Sequence, residues 1–322
     1  MGTTAIGFTR SVGALIGLRA GAWFGRGFRS PLRDFLLSDE VGPTHFGRAY
    51  GLERSADMLG AVAGPLLAVV LLWAGWDFRR VILWSVVPSA ISVVAIYLLT
   101  RDRRSPAAPV AKSEKGLPQL PRVYWLFVTG VLLFGLGDFS RTFLIYLVAN
   151  TMSPGHLPTA GLSIAVLLYA FHNGVSAIAA YPAGRIGDRR PKLAVLILGY
   201  GLGVATNCLL ALFTRSLPVL VVVIVLSGIY IAIEETIEKA VAAEILAREQ
   251  RSLGLGILAC ANAVGDMGSS IYVGTMLATH HDRLAFIGPA LVGLLGVSWM
   301  VAISARFRAT VRRASRPASS KP

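Results

Sequence analysis

Apolar runs of about 20 residues, each long enough to cross a bilayer as a helix, recur along this chain and constrain its fold more than any other feature. About nine such runs stand near 9–27, 56–76, 81–100, 123–149, 160–183, 193–213, 218–240, 253–278 and 285–305. The first is the weakest, because Arg10 and Arg19 interrupt it. The expected fold is all-α, a polytopic membrane helix bundle. Composition agrees: 54% of residues are hydrophobic and 15% charged, against roughly 25% charged in soluble domains. Lipid is the natural solvent and partner for such a surface. The formal charge of +14 would suggest nucleic acid in a soluble protein. Here it reads as topology, since Lys and Arg accumulate on the cytoplasmic side of membrane proteins, and no nucleic-acid partner is expected. Cys208 and Cys260 fall inside apolar runs and read as small buried side chains.

The polar segments divide the chain. Residues 101–121 hold Arg101, Arg103, Arg104, Lys112 and Lys115 among Pro106, Pro109, Pro118 and Pro121, which suits a flexible linker between two bundles. The expected domains are 1–100, three helices of a first bundle; 101–121, the cytoplasmic linker; 122–305, a six-helix second bundle; and 306–322, a basic tail expected to be disordered. Most of the 31 Lys and Arg residues fall in alternate loops and in the tail, while the other loops carry Arg10, Arg79, Arg80, Arg215 and Arg283. The positive-inside rule then places the tail in the cytoplasm and the N-terminus outside. No secretory leader is read in the first residues.

Two stretches about 205 residues apart read alike. Asp34 to Asp39, Arg48, Gly51-Leu52, Asp57 and Gly60 correspond to Lys239 to Glu244, Arg251, Gly254-Leu255, Asn262 and Gly265. Helices one to three therefore repeat as seven to nine, and helices four to six have no mates. A parallel repeat of six-helix halves is a transporter plan, so the expectation is that three helices are missing at the N-terminal end.

Intramembrane charges are costly enough, about 2.5–3.5 kcal/mol at a helix centre, to mark use or pairing. Asp138 and Arg141 are three apart near the middle of the fourth helix, so they share a face. They read either as a substrate or proton site or as an ion pair that only ties helices together. Glu234, Glu235, Glu238 and Lys239 end the seventh run; Glu235 and Lys239 have the favourable i,i+4 order. This is either a proton-binding cluster or a solvated helix end. Asp57 and Asp266 lie in glycine-containing helices expected to face the bundle, and His172 with Asn173 interrupts an apolar helix, the His reading as a packing residue. Asp188 and Arg189, in a charged tight loop, suit a latch on a neighbouring helix end. Gly60, Gly64, Gly265 and Gly268 allow close helix contact, and Pro65 invites a bend. Metallopeptidase, nucleophile-elbow and phosphate-loop patterns are not found, and Gly254-Leu-Gly256 opens a membrane helix without the strand a dinucleotide site needs. No enzyme, metal or cofactor is expected.

The segment Gly184 to Lys192 resembles the loop motif of the major facilitator superfamily of secondary transporters, with Gly184, Asp188 and Arg189 in place and Pro191 where a glycine is usual. Gly51, Gly60, Gly64 and Pro65 match the spacing of the family's helix-five motif common in exporters, departing at Ala68. Arg19 with Gly25 and Gly27 partly resembles its helix-four arginine motif. The run Gly25 to Asp34 is similar to a bacterial subgroup of permeases, whose motif Glu235 and Lys239 also resemble; where that subgroup has asparagine then aspartate in the seventh helix, this chain has Asp138 and Arg141. The resemblance covers helices four to twelve of a twelve-helix fold. It implies secondary transport of a small solute across the cell (inner) membrane by alternating access, with export favoured by the Gly64-Pro65 motif; the buried acids suggest proton coupling. The alternative is a non-transporting remnant, or a bundle that assembles with another chain. The substrate or proton pathway would use Arg19, Asp57, Asp138, Arg141, Glu235, Asn262 and Asp266. The cytoplasmic gate would use Arg33, Asp34, Gly184, Asp188, Arg189, Glu238 and Lys239, and Gly60, Gly64 and Pro65 would bend the helix.

Overall fold

A computed structural model describes residues 11–99, 119–152, 160–213 and 216–314, and every regular element among them is helical. The helices are α1 (Val12–Glu40), α2 (Phe46–Trp73), α3 (Phe78–Trp84), α4 (Val86–Leu99), α5 (Arg122–Gly135), α6 (Arg141–Met152), α7 (Ala160–Arg189), α8 (Lys192–Leu212), α9 (Leu217–Ile245), α10 (Arg248–Ala278) and α11 (Asp282–Ala314), with one 3-10 turn at Pro43–His45. Prolines mark several starts: Pro121 precedes α5, Pro191 precedes α8, and Pro218 lies in the first turn of α9, where a missing N–H costs nothing. Six stretches are long and apolar enough to cross a membrane: Pro43–Trp73, Phe78–Leu98, Ile164–Arg189, Lys192–Leu212, Leu217–Ile245 and Asp282–Phe307.

Two compact units are present. One contains residues 31–66 and 120–322. In it α8 packs on α9 and α11, α7 on α9, α5 on α10 and α11, and α6 on α7. Its largest core joins Tyr124, Phe127, Phe134, Leu196, Tyr200, Ile237 and Met300. A second core lies around Phe139, Leu210, Val223 and Phe286. A third, smaller one sets Phe46 and Tyr50 against Ala240 and Ala243. The other unit contains residues 1–30 and 67–119. There α2 ends at Trp73, and Gly75, with a φ of 82°, lets Gly75 and Trp76 bond back to Leu72 and Leu71. Asp77 then caps α3 by accepting from the Arg79 N–H. The apolar side chains of α3 and α4 are turned outward, as suits helices whose solvent is lipid.

Several expectations change. The α1 helix runs to Glu40 and α2 starts at Phe46, so Arg26, Arg29, Arg33, Arg48 and Arg54, read as loop residues, are helical; helices extend well past the apolar run that signals them. The run 81–100 is interrupted at Ser85. The run 123–149 is two helices, with Leu136–Ser140 between them. The α10 helix is not among the six apolar stretches, because its glycines, Asn262 and Asp266 lower its hydropathy. Residues 184–189, read as loop, form the last turns of α7. The α11 helix continues past Arg306 to Ala314, where a disordered tail was expected. Cys208 and Cys260 are exposed, not buried; an apolar run in a membrane helix presents one face outward. Most of the linker 101–121 and the chain beyond Ala314 lie outside the described residues.

Candidate functional site

The interruption between α5 and α6 builds the site. Gly135 and Gly137 weaken helix propensity there, and both are held by close packing: a Cβ on Gly137 would meet backbone of Gly293 at 2.6 Å, and one on Gly265 would meet Gly135 backbone at 2.7 Å. The freed backbone groups find side chains. Asn207 donates to the Gly137 carbonyl at 2.9 Å, and the Ser140 N–H donates to Ser270 Oγ at 3.0 Å. Irregular backbone at membrane depth is tolerated only with such satisfaction.

Asp138 therefore leaves the helical path. The expectation that it shares a helix face with Arg141 as a pair is not met. Tyr230 donates its hydroxyl to Asp138 Oδ1 at 2.6 Å. Arg141, the first residue of α6, turns to other partners: it donates to Asn173 Oδ1 at 3.0 Å and stands 3.5 Å from Glu235. Glu235 is also bound by both terminal nitrogens of Arg54, and Arg54 lies 3.6 Å from Asp57. One carboxylate thus bridges two arginines, from α2 and α6, and Asn173 on α7 orients the second.

The acidic end of the seventh run is not a solvated helix end. The α9 helix continues to Ile245, and Glu234 and Glu238 are 5% and 1% exposed. They lie four residues apart on one face of α9. Glu238 accepts from the Tyr200 hydroxyl and, at 2.6 Å, from the Asn262 amide. Tyr200 is stacked on Phe134 at 3.7 Å, and Tyr230 meets the same ring edge-on at 6.5 Å, so the aromatic packing fixes both hydroxyls. Asp266 is exposed beside Gly135. The i,i+4 pairing of Glu235 with Lys239 is replaced by contacts to other helices.

A second cluster surrounds the α1–α2 turn. Asp188 accepts from the Gly47 N–H (2.8 Å), the Arg48 N–H (3.0 Å) and Arg48 Nε (3.0 Å), capping the start of α2. Gly184 and Gly47 make this approach possible: a Cβ on Gly184 would lie 2.0 Å from the Gly47 carbonyl oxygen. Lys239 stands 3.1 Å from Asp34 and 3.6 Å from Glu53, and Arg33 pairs with Glu53 and, at 3.7 Å, with Asp34. Tyr50 donates to the Asp34 carbonyl at 2.9 Å. At the rim Arg248 holds Asp39 through two hydrogen bonds, which keep that carboxyl below the usual range. Lys192, read as a loop cation, is buried and lies 3.5 Å from Glu244.

Asp57, Asp138, Arg141, Glu235, Asn262 and Asp266 thus meet in one region of α2, α6, α9 and α10, while Arg33, Asp34, Gly184, Asp188 and Lys239 meet around the α1–α2 turn. Glu238, expected at the gate, faces Asn262 instead. Arg19 is exposed on α1 in the other unit, and Arg189 is exposed. Gly60 and Gly64 have nothing within 4 Å of a Cβ position among the described residues, so the expected close contact is found only for Gly265 and Gly268. His172 is hydrogen-bonded to Ser227 at 3.1 Å, as its packing role implied. Sequence reasoning missed Glu53, Arg54, Tyr200, Asn207 and Tyr230. The polar groups of the tyrosines and Asn207 inside apolar runs were the available signal. Among the described residues no group of three or more His, Cys, Asp or Glu is arranged to hold a metal ion.

The family model of the major facilitator superfamily matches residues 1–176 and 136–322. The chain is 24% identical over 274 residues to an MFS-type transporter of Methanocaldococcus jannaschii, covering 85% of this chain and 68% of that protein. It is 24% identical over 322 residues to protein Rv2265 of Mycobacterium tuberculosis, covering 93% and 76%. A chloramphenicol resistance protein of Streptomyces lividans is 28% identical over 198 residues, covering 59% and 48%. In structure the chain is similar to the human organic anion transporter MFSD10 (TETRAN), with a TM-score of 0.67, 16% identity, and 93% of this chain and 74% of that one covered. With the helical membrane fold, the match along both halves of the sequence decides the assignment: this chain belongs to the major facilitator superfamily of transporters.

Proposed function

We propose that the chain is a secondary active transporter that exports a small solute across the cell membrane by alternating access, coupled to protons, with its C-terminal tail in the cytoplasm. The observation that carries this reading is the interrupted helix at Leu136–Ser140, which sets Asp138 among the carboxyl groups of α9 and α10. Broken helices that line a midplane site are a recurring device of secondary transporters. Carboxyl groups whose hydrogen-bond partners are the neutral Tyr200, Tyr230 and Asn262 can gain or lose a proton without breaking an ion pair. The Asp188 and Lys239 clusters, where charged contacts stand beside a small apolar core, suit contacts that open and re-form. The resistance protein of Streptomyces lividans favours export.

The test is accumulation of chloramphenicol and of ethidium in cells producing the chain, with and without a protonophore. Expected is lower accumulation of at least one, abolished by the protonophore and by Asp138→Asn. Unchanged accumulation of both would overturn the reading. A cysteine introduced at Ser319, outside the described residues, should resist labelling from outside intact cells; labelling would overturn the assigned side.

A second reading has its own observation. Gly60 and its repeat mate Gly265 differ: Gly265 packs on Gly135, and Gly60 has nothing within 4 Å among the described residues. On this reading α2 works packed against a further membrane helix with a small residue at the crossing. Cysteine crosslinking from Leu59, which is exposed, to other membrane segments tests it, and no crosslinked product would count against it.

A further inference from the structure

The charges around the interrupted helix do not balance. Two guanidinium groups are present, and both are engaged: Arg54 with Glu235 and Asp57, Arg141 with Glu235 and Asn173. Four more carboxyl groups, Asp138, Glu234, Glu238 and Asp266, have no cation within ion-pair distance among the described residues. Asp138 and Glu238 receive hydrogen bonds from Tyr230, Tyr200 and Asn262, which bring no charge.

Glu234 is the telling member. It is 5% exposed, and no hydrogen bond or ion pair reaches it among the described residues. The charges that face it are Asp138, Glu238, Asp266 and Glu235, all of its own sign. Left charged in that company, a buried carboxylate is costly, and either a proton or a cation brought beside it relieves the cost. A second unmet group has the same polarity: the amide oxygen of Asn262 is buried without a donor, while its nitrogen serves Glu238. Both groups call for hydrogen-bond donors, and Glu234 for positive charge as well.

We infer that Glu234, Asp138, Glu238 and Asp266 form the binding site for an organic cation, a solute bearing a protonated amine or comparable cationic group. This inference rests on the transporter reading and names its substrate class. Asp266 is exposed and Asp138 partly so, and Glu234 and Glu238 lie behind them; a cation would enter at the first pair and be neutralised at the second. Among the described residues the carboxyl groups are not grouped as ligands of a metal ion are, which favours a larger cation with spread charge and N–H donors. An anion would meet six carboxyl groups against two arginines, and a neutral solute would leave Glu234 as it is.

The test uses the full chain in lipid nanodiscs and three cationic probes: ethidium, tetraphenylphosphonium and spermidine. Chloramphenicol serves as the uncharged comparator. Glu234→Gln and Asp266→Asn are compared with the wild type and with Glu249→Gln, an exposed residue at the start of α10. Expected is saturable binding of at least one cation, weakened about tenfold by each acid substitution and unchanged by Glu249→Gln. Chloramphenicol binding should be insensitive to both acid substitutions. Should Glu234→Gln fail to fold by thermal melting, Asp266→Asn carries the comparison. Saturable binding by none of the three cations, or cation binding indifferent to the acid substitutions, would overturn the inference. Proton-driven export of a neutral solute alongside that failure would leave the transporter reading standing.

Discussion

Asp34 and Lys239 are 205 residues apart in the chain, and their side chains stand 3.1 Å apart. They are also equivalent positions of the internal repeat, which places Asp57 opposite Asn262 and Gly60 opposite Gly265 at the same spacing. On the repeat read from the sequence, equivalent positions that touch each other would lie on the axis relating its two copies. At such a point identical side chains would meet themselves, and two like charges would repel. An aspartate in one repeat and a lysine in the other turn that point into a bond.

The charge pattern can therefore be exchanged. Asp34→Lys and Lys239→Asp should each destabilise the chain, because Asp34 is buried and its loss leaves Lys239 beside Arg33. The double exchange should recover stability, with a coupling of about 1–3 kcal/mol in a double-mutant cycle read by thermal melting. Glu53, which also faces Lys239, limits how complete the recovery is. Additive losses would show that the pair is not a unit.

Asp188 holds the start of α2 through two backbone N–H groups and the Arg48 side chain. Asp188→Ala should cost about 1–3 kcal/mol, since it orphans buried donors at a helix N-terminus. Hydrogen exchange is the sensitive measurement: the amides of Gly47 and Arg48 should lose protection while those in the middle of α9 keep theirs. Gly184→Ala should destabilise by a similar amount through overpacking, because its Cβ would sit 2.0 Å from the Gly47 oxygen.

The helices were legible because lipid rewards the same apolar run wherever it faces. The same property hid three things. Leucine and valine continue on both sides of Leu136, so hydropathy passes over the interruption, though Gly135 and Gly137 mark it. Cys208 and Cys260 sit in apolar surroundings that turn outward, where apolarity does not mean burial. Arg54 counted as one more loop cation until α2 carried it against Glu235, a pairing across 181 residues that no local pattern announces. Glu235, Asp138 and Asp57 were legible as costly charges. Their partners were not, because partners are set by helix packing. Asp188 was read as pairing with a neighbouring helix end, and it accepts from the first turn of α2, while Arg189, read with it, is exposed.

Asn207 is the side chain that satisfies the Gly137 carbonyl. Asn207→Leu keeps a similar volume and removes the donor, leaving that carbonyl buried without a partner at a cost of about 1–3 kcal/mol. Asn207→Asp brings a carboxylate to the carbonyl and should be worse. Ser270→Ala, which removes the acceptor for the more exposed Ser140 N–H, should cost less than Asn207→Leu. Equal melting temperatures for Asn207→Leu and the wild type would mean that packing alone holds the interruption.

Asp39 and Arg248 lie outside the membrane-spanning segments, and Arg248 lowers the Asp39 pKa. A carboxyl whose folded pKa is depressed contributes stability above its unfolded value of about 4, and that contribution is lost as pH falls through the folded value. The melting temperature of Arg248→Gln should therefore fall below wild type at pH 7, and the gap should close as the pH is taken below about 4. The effect should be small, because the pair is partly exposed, and smaller still in high salt. A gap that does not change with pH would assign the loss to packing of the Arg248 side chain.

The last prediction separates Asp138 from Arg141. Three residues apart in one helix, they would neutralise each other, and removing both charges would be milder than removing either. The structure gives each its own partner: Tyr230 donates to Asp138, while Arg141 is held by Glu235 and Asn173. Asp138→Asn leaves a neutral side chain beside a neutral hydroxyl, so it should fold nearly as well as wild type and lose proton-coupled transport. Arg141→Gln leaves Glu235 with Arg54 alone and should destabilise by about 1–3 kcal/mol, as expected for loss of one charged partner in a partly buried set. Adding Glu235→Gln should not rescue it, because Arg54 would then keep only Asp57 at 3.6 Å. The double change Asp138→Asn with Arg141→Gln should be additive in thermal melting within about 0.5 kcal/mol. A clear rescue in that double mutant would restore the direct pair and require the α5–α6 interruption to close in the membrane.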